Sequence, residues 1–208
     1  MVMKKLFFLP LFALAIMSFV VEITPIDLGT SIPLSDRKME NASDGKWMSI
    51  NDCKKSSGVL VIFSCNTCPY VIAQEARIIN IQKMAERMQI GVVIINSNED
   101  KRTSDDSKDA MKEYASKQKY TAPYLIDSLS QLADAFGATR TPECFLFDKD
   151  GKLVYRGSID DSPKDEKAVK NRYLLDAMAA VSHNKPVAVG TSVSSGCTIK
   201  RKQVSSTK

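Results

Sequence analysis

The chain has 208 residues, 44% hydrophobic and 25% charged, with nine Gly, eight Pro, five Cys, one Trp and one His. This composition excludes collagen-like, low-complexity and disulfide-dense small proteins, and a lone His183 excludes a multi-His metal site. The net charge of +5 arises outside residues 24–183, which carry 22 basic and 23 acidic groups once the seven basic and one acidic residues of the two ends are set aside, so no basic face for nucleic acid is expected.

Lys4 and Lys5 precede an apolar run from Leu6 to Val21. A run of about 16 residues is short for a membrane span and suits an export signal. Residues 1–21 therefore read as a signal peptide or an uncleaved anchor (4–21), and the protein as exported, periplasmic or otherwise extracytoplasmic. About 185 residues follow, enough for one sizeable core. Residues 22–57 are polar and turn-rich, with short extended stretches expected at Ile23–Leu28 and Trp47–Ile50.

Val59–Phe63 is a continuous β-branched and aromatic run, which predicts a strand buried on both faces. Beyond Cys65-Asn66-Thr67-Cys68-Pro69, the spacing of Ile78, Ile81, Ala85 and Met88 predicts a helix with one apolar stripe. Val92–Ile95 predicts a second buried strand, so strand, helix and strand form a βαβ unit with parallel strands. Asp106 or Ser107 is placed to cap a helix over about 108–117. A short strand at Tyr124–Ile126 and a helix at Ser130–Phe136, stopped by Gly137, follow. Phe145–Phe147 and Leu153–Tyr155 flank Asp148-Lys149-Asp150-Gly151, a hairpin signal. A last helix is expected from about Asp165 to Val181, and a solvated basic tail over 184–208. This α/β order, a central mixed sheet flanked by helices, resembles the thioredoxin architecture and assigns 22–183 to one domain.

Chemistry concentrates at Cys65 and Cys68. A C-x-x-C at a strand-to-helix junction faces the free amides of the helix's first turn, which favour a thiolate, the nucleophile of disulfide exchange. The residues predict Cys65, nearer the amides and the surface, as attacker and Cys68, deeper in the turn, as resolver. Pro69 fits because first-turn N–H groups have no partner within the helix. Two other readings stand beside this one. A structural Cys65–Cys68 disulfide suits an exported protein, and a zinc site would need two more ligands from Cys53, Cys144 and Cys197. Thr141-Pro142, just before the hairpin, is where a cis proline would present the Thr141 backbone to an extended substrate. Arg140 either brings positive charge to the site or is a solvated loop residue.

The segments FSCNTCPYV, VVIINSNED, YLIDSLSQLADAFGATRTPECFLFD, GKLVYRGSIDD, NRYLLDAMAAV, NKPVAV and GCTIKR resemble, in order, the peroxiredoxin-like branch of the thioredoxin-fold redoxins, the AhpC/TSA-type superfamily. The resemblance implies a thioredoxin fold, Cys65 as the family's thiol and Pro142 as its cis proline. Taken with the C-x-x-C and the apolar leader, the expected function is an exported thiol–disulfide oxidoreductase that acts on protein or small-molecule disulfides and draws on an electron donor, with no metal or cofactor expected. In peroxiredoxins of the usual kind the peroxidatic Cys matches Cys68, with Thr or Ser three positions before and Pro seven before. Here those positions hold Cys65 and Val61, which leaves thiol-dependent peroxidase as the alternative function.

Cys144 stands where such sequences carry an aliphatic residue and reads as a small core residue. Cys53 is extra. Cys197, in GCTIKR, is either a third redox thiol or a tail residue. No carboxylate lies on Val59–Phe63 to serve the resolving thiol, and Asn66-Thr67 brings no positive charge, so an intermediate to reducing potential is expected. A metal-binding or copper-delivery module would want a His after the hairpin, whereas His183 ends the last helix.

Overall fold

A computed structural model describes residues 23–202, so the expected leader lies outside the described residues. Among the described residues no helix is long and apolar enough to cross a membrane. Ile23–Leu28 forms no regular element. A small antiparallel pair follows, β1 (Met39–Glu40) with β2 (Trp47–Met48). Ile50, expected to be extended, instead opens a helical turn, α1 (Ile50–Cys53). Ser49 and Asp52 explain it: they form a reciprocal capping box that nucleates the turn.

The central sheet is built from β3 (Gly58–Phe63), β4 (Ile90–Asn96), β5 (Tyr124–Ile126), β7 (Glu143–Phe147) and β8 (Leu153–Gly157), in the order β5-β4-β3-β7-β8. β3 pairs parallel with β4 and antiparallel with β7, so the expected βαβ unit and hairpin meet on the central strand. Every residue of β3 is buried. Its side chains alternate between two apolar layers: Leu60 and Ile62 face one, Val59, Val61 and Phe63 the other.

The first layer packs against α2 (Pro69–Arg87) through Val71, Ile78, Ile81 and Ala85. It is completed by Met111 and Ala115 of α3 (Lys108–Gln118), which Ser107 caps, and by Leu174, Ala177 and Met178 of α5 (Tyr173–Ser182). The second layer packs against α4 (Gln131–Phe136), where Leu132, Ala133 and Phe136 cover the sheet. Phe136 meets Phe63, Phe145 and Phe147 edge-on, with ring centroids 5.2–5.8 Å apart. Gly137 closes α4 in the left-handed region at φ 64°, as the sequence predicts.

Two expectations need correction. The last helix starts at Tyr173 rather than near Asp165. Asp165 caps only a single tight turn at Glu166–Ala168, Val169 is extended, and the Asp161 carboxylate binds the backbone N–H groups of Lys170 and Asn171. Those local side-chain bonds compete with helix propagation. The segment after His183 keeps many exposed side chains but is anchored to the sheet at several points rather than free along its length. Gly190 and Ser192 hydrogen-bond the backbone of Arg156, Ile199 is buried, and Arg201 pairs with Asp134. Backbone hydrogen bonds and the Arg201 side chain together tie the tail down. Its last strand, β9 (Cys197–Thr198), pairs antiparallel with β6 (Arg140–Thr141).

Candidate functional site

Cys65 and Cys68 lie in the loop between β3 and α2. The loop is held from outside. The Asp106 carboxylate accepts the Asn66 backbone N–H at 3.0 Å and the side-chain amides of Asn96 and Asn98 at 2.7 and 2.9 Å. Asn66 in turn donates to the Asp105 carbonyl and accepts from the buried Tyr124 hydroxyl. Ser107 alone caps α3, which frees Asp106 for this role. Thr141-Pro142 is cis and stands directly across from the cysteines. The Thr141 hydroxyl is 3.4 Å from Cys65 Sγ, and its carbonyl oxygen is 3.1 Å from Cys68 Sγ.

The two thiols differ from the sequence expectation in exposure and ionisation. Neither is open to water: both residues are 2% exposed. Cys68, not Cys65, is the N-cap of α2, with Pro69 at the first helical position. The neighbouring Cys65 and Cys197 thiols, with the N-terminus of α2, hold the Cys68 thiol below the ordinary thiol range against the effect of burial. The neighbouring Cys68 and burial push the Cys65 thiol well above the ordinary thiol range. The Thr141 carbonyl is the one neighbour here that favours protonated Cys68. The N-terminus of α2 and the neighbouring thiols prevail over it. The amides at the helix mouth therefore serve the second cysteine, because the first lies one loop earlier and turns toward the Thr141 hydroxyl.

The other predicted residues fall as follows. Arg140 is exposed, and its guanidinium donates to the Gly196 carbonyl at 3.4 Å. Cys197 is half-buried on β9 opposite Thr141, so it joins Cys65 and Cys68. Burial and the neighbouring Cys68 push the Cys197 thiol up to about 11. Cys144 is fully buried on β7 opposite Ile62, a core position. Cys53 is half-buried at the end of α1. All five cysteines are free thiols. His183 caps the C-terminus of α5, with Nδ1 on the Ala179 carbonyl. Among the described residues no group of three or more His, Cys, Asp or Glu side chains is arranged to hold a metal ion.

Three functional candidates escaped the sequence reading. Glu143 is buried, and its carboxylate accepts the N–H groups of Thr139 and Arg140 and the Ser194 hydroxyl, which shapes the approach to Pro142. Glu75, two turns along α2 from Cys68, is buried under the Tyr120 hydroxyl, and burial pushes its carboxyl up to about 7. Tyr114 lies near enough to feel Glu75, Cys65 and Cys68, and its buried hydroxyl has no well-aligned hydrogen-bond partner. The signal for Glu75 was a carboxylate on the apolar side of an amphipathic helix, two turns from the motif.

A family model described as Redoxin matches residues 27–174. No curated protein matches the chain. Among solved structures, an uncharacterised conserved protein from Geobacillus kaustophilus is 32% identical, with a TM-score of 0.80 over 86% of this chain and 94% of that one. A hypothetical protein from Sinorhizobium meliloti is 31% identical, with a TM-score of 0.79 over 87% of this chain and 98% of that one. A thioredoxin-like protein solved in its oxidised form is 20% identical, with a TM-score of 0.59 over 77% of this chain and 99% of that one, a likeness of fold. With the βαβ unit, the hairpin and the cis proline beside two cysteines at a helix mouth, these matches carry the same conclusion: the chain belongs to the redoxin family and is a thioredoxin-like redox protein.

Proposed function

We propose that this redoxin is an exported thiol–disulfide oxidoreductase that works through the Cys65–Cys68 dithiol, in the reducing direction, on protein or small-molecule disulfides. The observation that carries the reading is the placement of two thiols at the mouth of α2, both against Thr141 and beside cis-Pro142. A dithiol with one sulfur ionised and the other protonated is poised for a two-step exchange. The Cys68 thiolate attacks a substrate disulfide and expels one thiolate. Cys65 then attacks the Cys68 sulfur of the mixed disulfide, releases the second product and leaves a Cys65–Cys68 disulfide. An electron donor outside the chain returns the pair to the dithiol. Arg140, Thr141 and Pro142 form the edge along which an extended substrate would lie.

These roles reverse those expected from the sequence, and the reversal is measurable. Cys68→Ser abolishes reduction of insulin disulfides, whereas Cys65→Ser leaves a nucleophile without its resolver and accumulates mixed disulfides. Trapping by Cys68→Ser and none by Cys65→Ser would restore the original order, and full activity in both variants would end the reading. Export rests on the apolar run after Lys4 and Lys5. The mass of the protein recovered from the extracytoplasmic fraction tests it: a leaderless mass supports cleavage, and recovery solely from the cytoplasm excludes export.

Peroxide reduction is the second reading, because a Cys68 thiolate capping α2 is also what attack on a peroxide requires. Against it stand Cys65 and Val61 in place of the residues that shape a peroxidatic pocket. Hydrogen peroxide consumed at the rate of disulfide reduction would favour this alternative.

A further inference from the structure

The edge on which an extended substrate would dock is already taken. β9 lies antiparallel against β6, with Cys197 opposite Thr141 and Thr198 opposite Arg140. The fit is close: a Cβ on Gly196 would come within 2.1 Å of the Thr141 carbonyl oxygen, so only glycine lets the strand reach this depth. Further bonds clamp the strand on either side. Ser194 donates to Glu143, the Ile199 N–H to the Thr139 carbonyl, and the Lys200 N–H to the Asn98 side chain. The docked strand carries a cysteine, and that cysteine arrives at the mouth of α2. Cys197 packs against the apolar cluster that contains Cys65 and Cys68. Of the three thiols gathered there, Cys197 alone is partly exposed.

We propose that β9 is a substrate strand built into the chain and that Cys197 is a third redox thiol, which takes the disulfide over from Cys65. The proposal rests on the dithiol reading above. After a substrate has been reduced, the oxidised equivalent is a Cys65–Cys68 disulfide, buried on both sides. Cys197 gives up its proton and attacks Cys68 Sγ. The Cys65–Cys68 bond breaks, a Cys68–Cys197 bond forms, and Cys65 leaves as a thiolate that takes up one proton. No electron enters or leaves the chain, so the step needs no further oxidant or reductant. It moves the disulfide from the interior to a half-exposed strand, where an external thiol donor can attack Cys197. The same docking makes the native substrate either a small disulfide or a polypeptide that first displaces β9.

The test uses the full chain with Cys65→Ser, treated with oxidised glutathione, quenched in acid, alkylated and digested without reduction. Cys68 reacts first to form a glutathione mixed disulfide, and Cys197 then displaces the glutathione. The expected product is a peptide pair joined through Cys68 and Cys197, formed within one chain. Gly196→Val in the same background pushes β9 off its edge and is expected to lower the yield of that pair by about tenfold, the penalty of roughly 1.4 kcal/mol or more in docking. A Cys68 that stays glutathionylated beside a free Cys197 would overturn the proposal, as would a linked yield indifferent to Gly196→Val. The link is scored in a variant that cannot complete the dithiol cycle, so failure of wild-type insulin reduction counts against the dithiol reading and leaves this measurement to stand separately.

Discussion

Glu75 shows how one side chain acquires chemistry from its surroundings. A carboxylate on α2 is ordinary in sequence, but burial under Tyr120 favours its neutral form and raises it to about 7. The sign of the effect on folding follows. The unfolded chain ionises Glu75 near the ordinary carboxylate value of 4.5, so folding carries no penalty from Glu75 below that pH; stability falls as pH rises toward about 7 and stays lower above it. The full penalty is roughly 3 kcal/mol, because each pKa unit is worth about 1.4 kcal/mol. Glu75→Gln should therefore melt at a nearly constant temperature from about pH 5 to about pH 8, while the parent loses stability across that range. Parallel profiles would show that Glu75 ionises freely. Cys68 gives the opposite case, a thiol held below the ordinary thiol range by the Cys65 and Cys197 thiols beside it and by the N-terminus of α2. Its thiolate absorbance, taken as the difference between the parent and Cys68→Ser, should persist at pH values well below those at which a free thiol protonates. Loss of that signal at neutral pH would return the thiolate to Cys65.

Elements follow local pattern wherever pattern and packing agree. β3, β4, α2, α3, α4 and the hairpin were legible because apolar period, caps and turn residues all point the same way. α5 was misjudged at its start because Asp161 and Asp165 spend their carboxylates on nearby backbone N–H groups, a competition that periodicity does not register. Packing of α4 on the sheet depends on Phe136, wedged among three phenylalanines contributed by β3 and β7. Phe136→Ala should cost about 3–5 kcal/mol in denaturant unfolding, the range for emptying a buried aromatic site. A loss under about 1 kcal/mol would mean that α4 collapses readily into the space.

At the scale of the whole molecule the site is a closed assembly. β9, β6, the C-x-x-C loop and the first turn of α2 meet only after the chain has folded, and together they bury two thiols that a substrate must reach. Removing residues 196–208 should speed alkylation of Cys68 by an order of magnitude or more. It should also cost about 2 kcal/mol of stability, since the burial of Ile199 is lost with the strand. Equal alkylation rates with and without the tail would show that the thiols are reached by another route.

The order of strands and helices, the C-x-x-C at a strand-to-helix junction and the proline before the hairpin are local facts, written in apolar period and residue type, and the sequence alone determined them. Which cysteine ionises, whether a carboxylate stays neutral and where the basic tail lies depend on neighbours 30 to more than 100 residues away, such as Tyr120 over Glu75, Asp106 under Asn66 and Lys200 on Asn98. Hydrogen bonds and desolvation act over a few ångströms of space, whatever the separation along the chain, and those distances exist only in the tertiary structure.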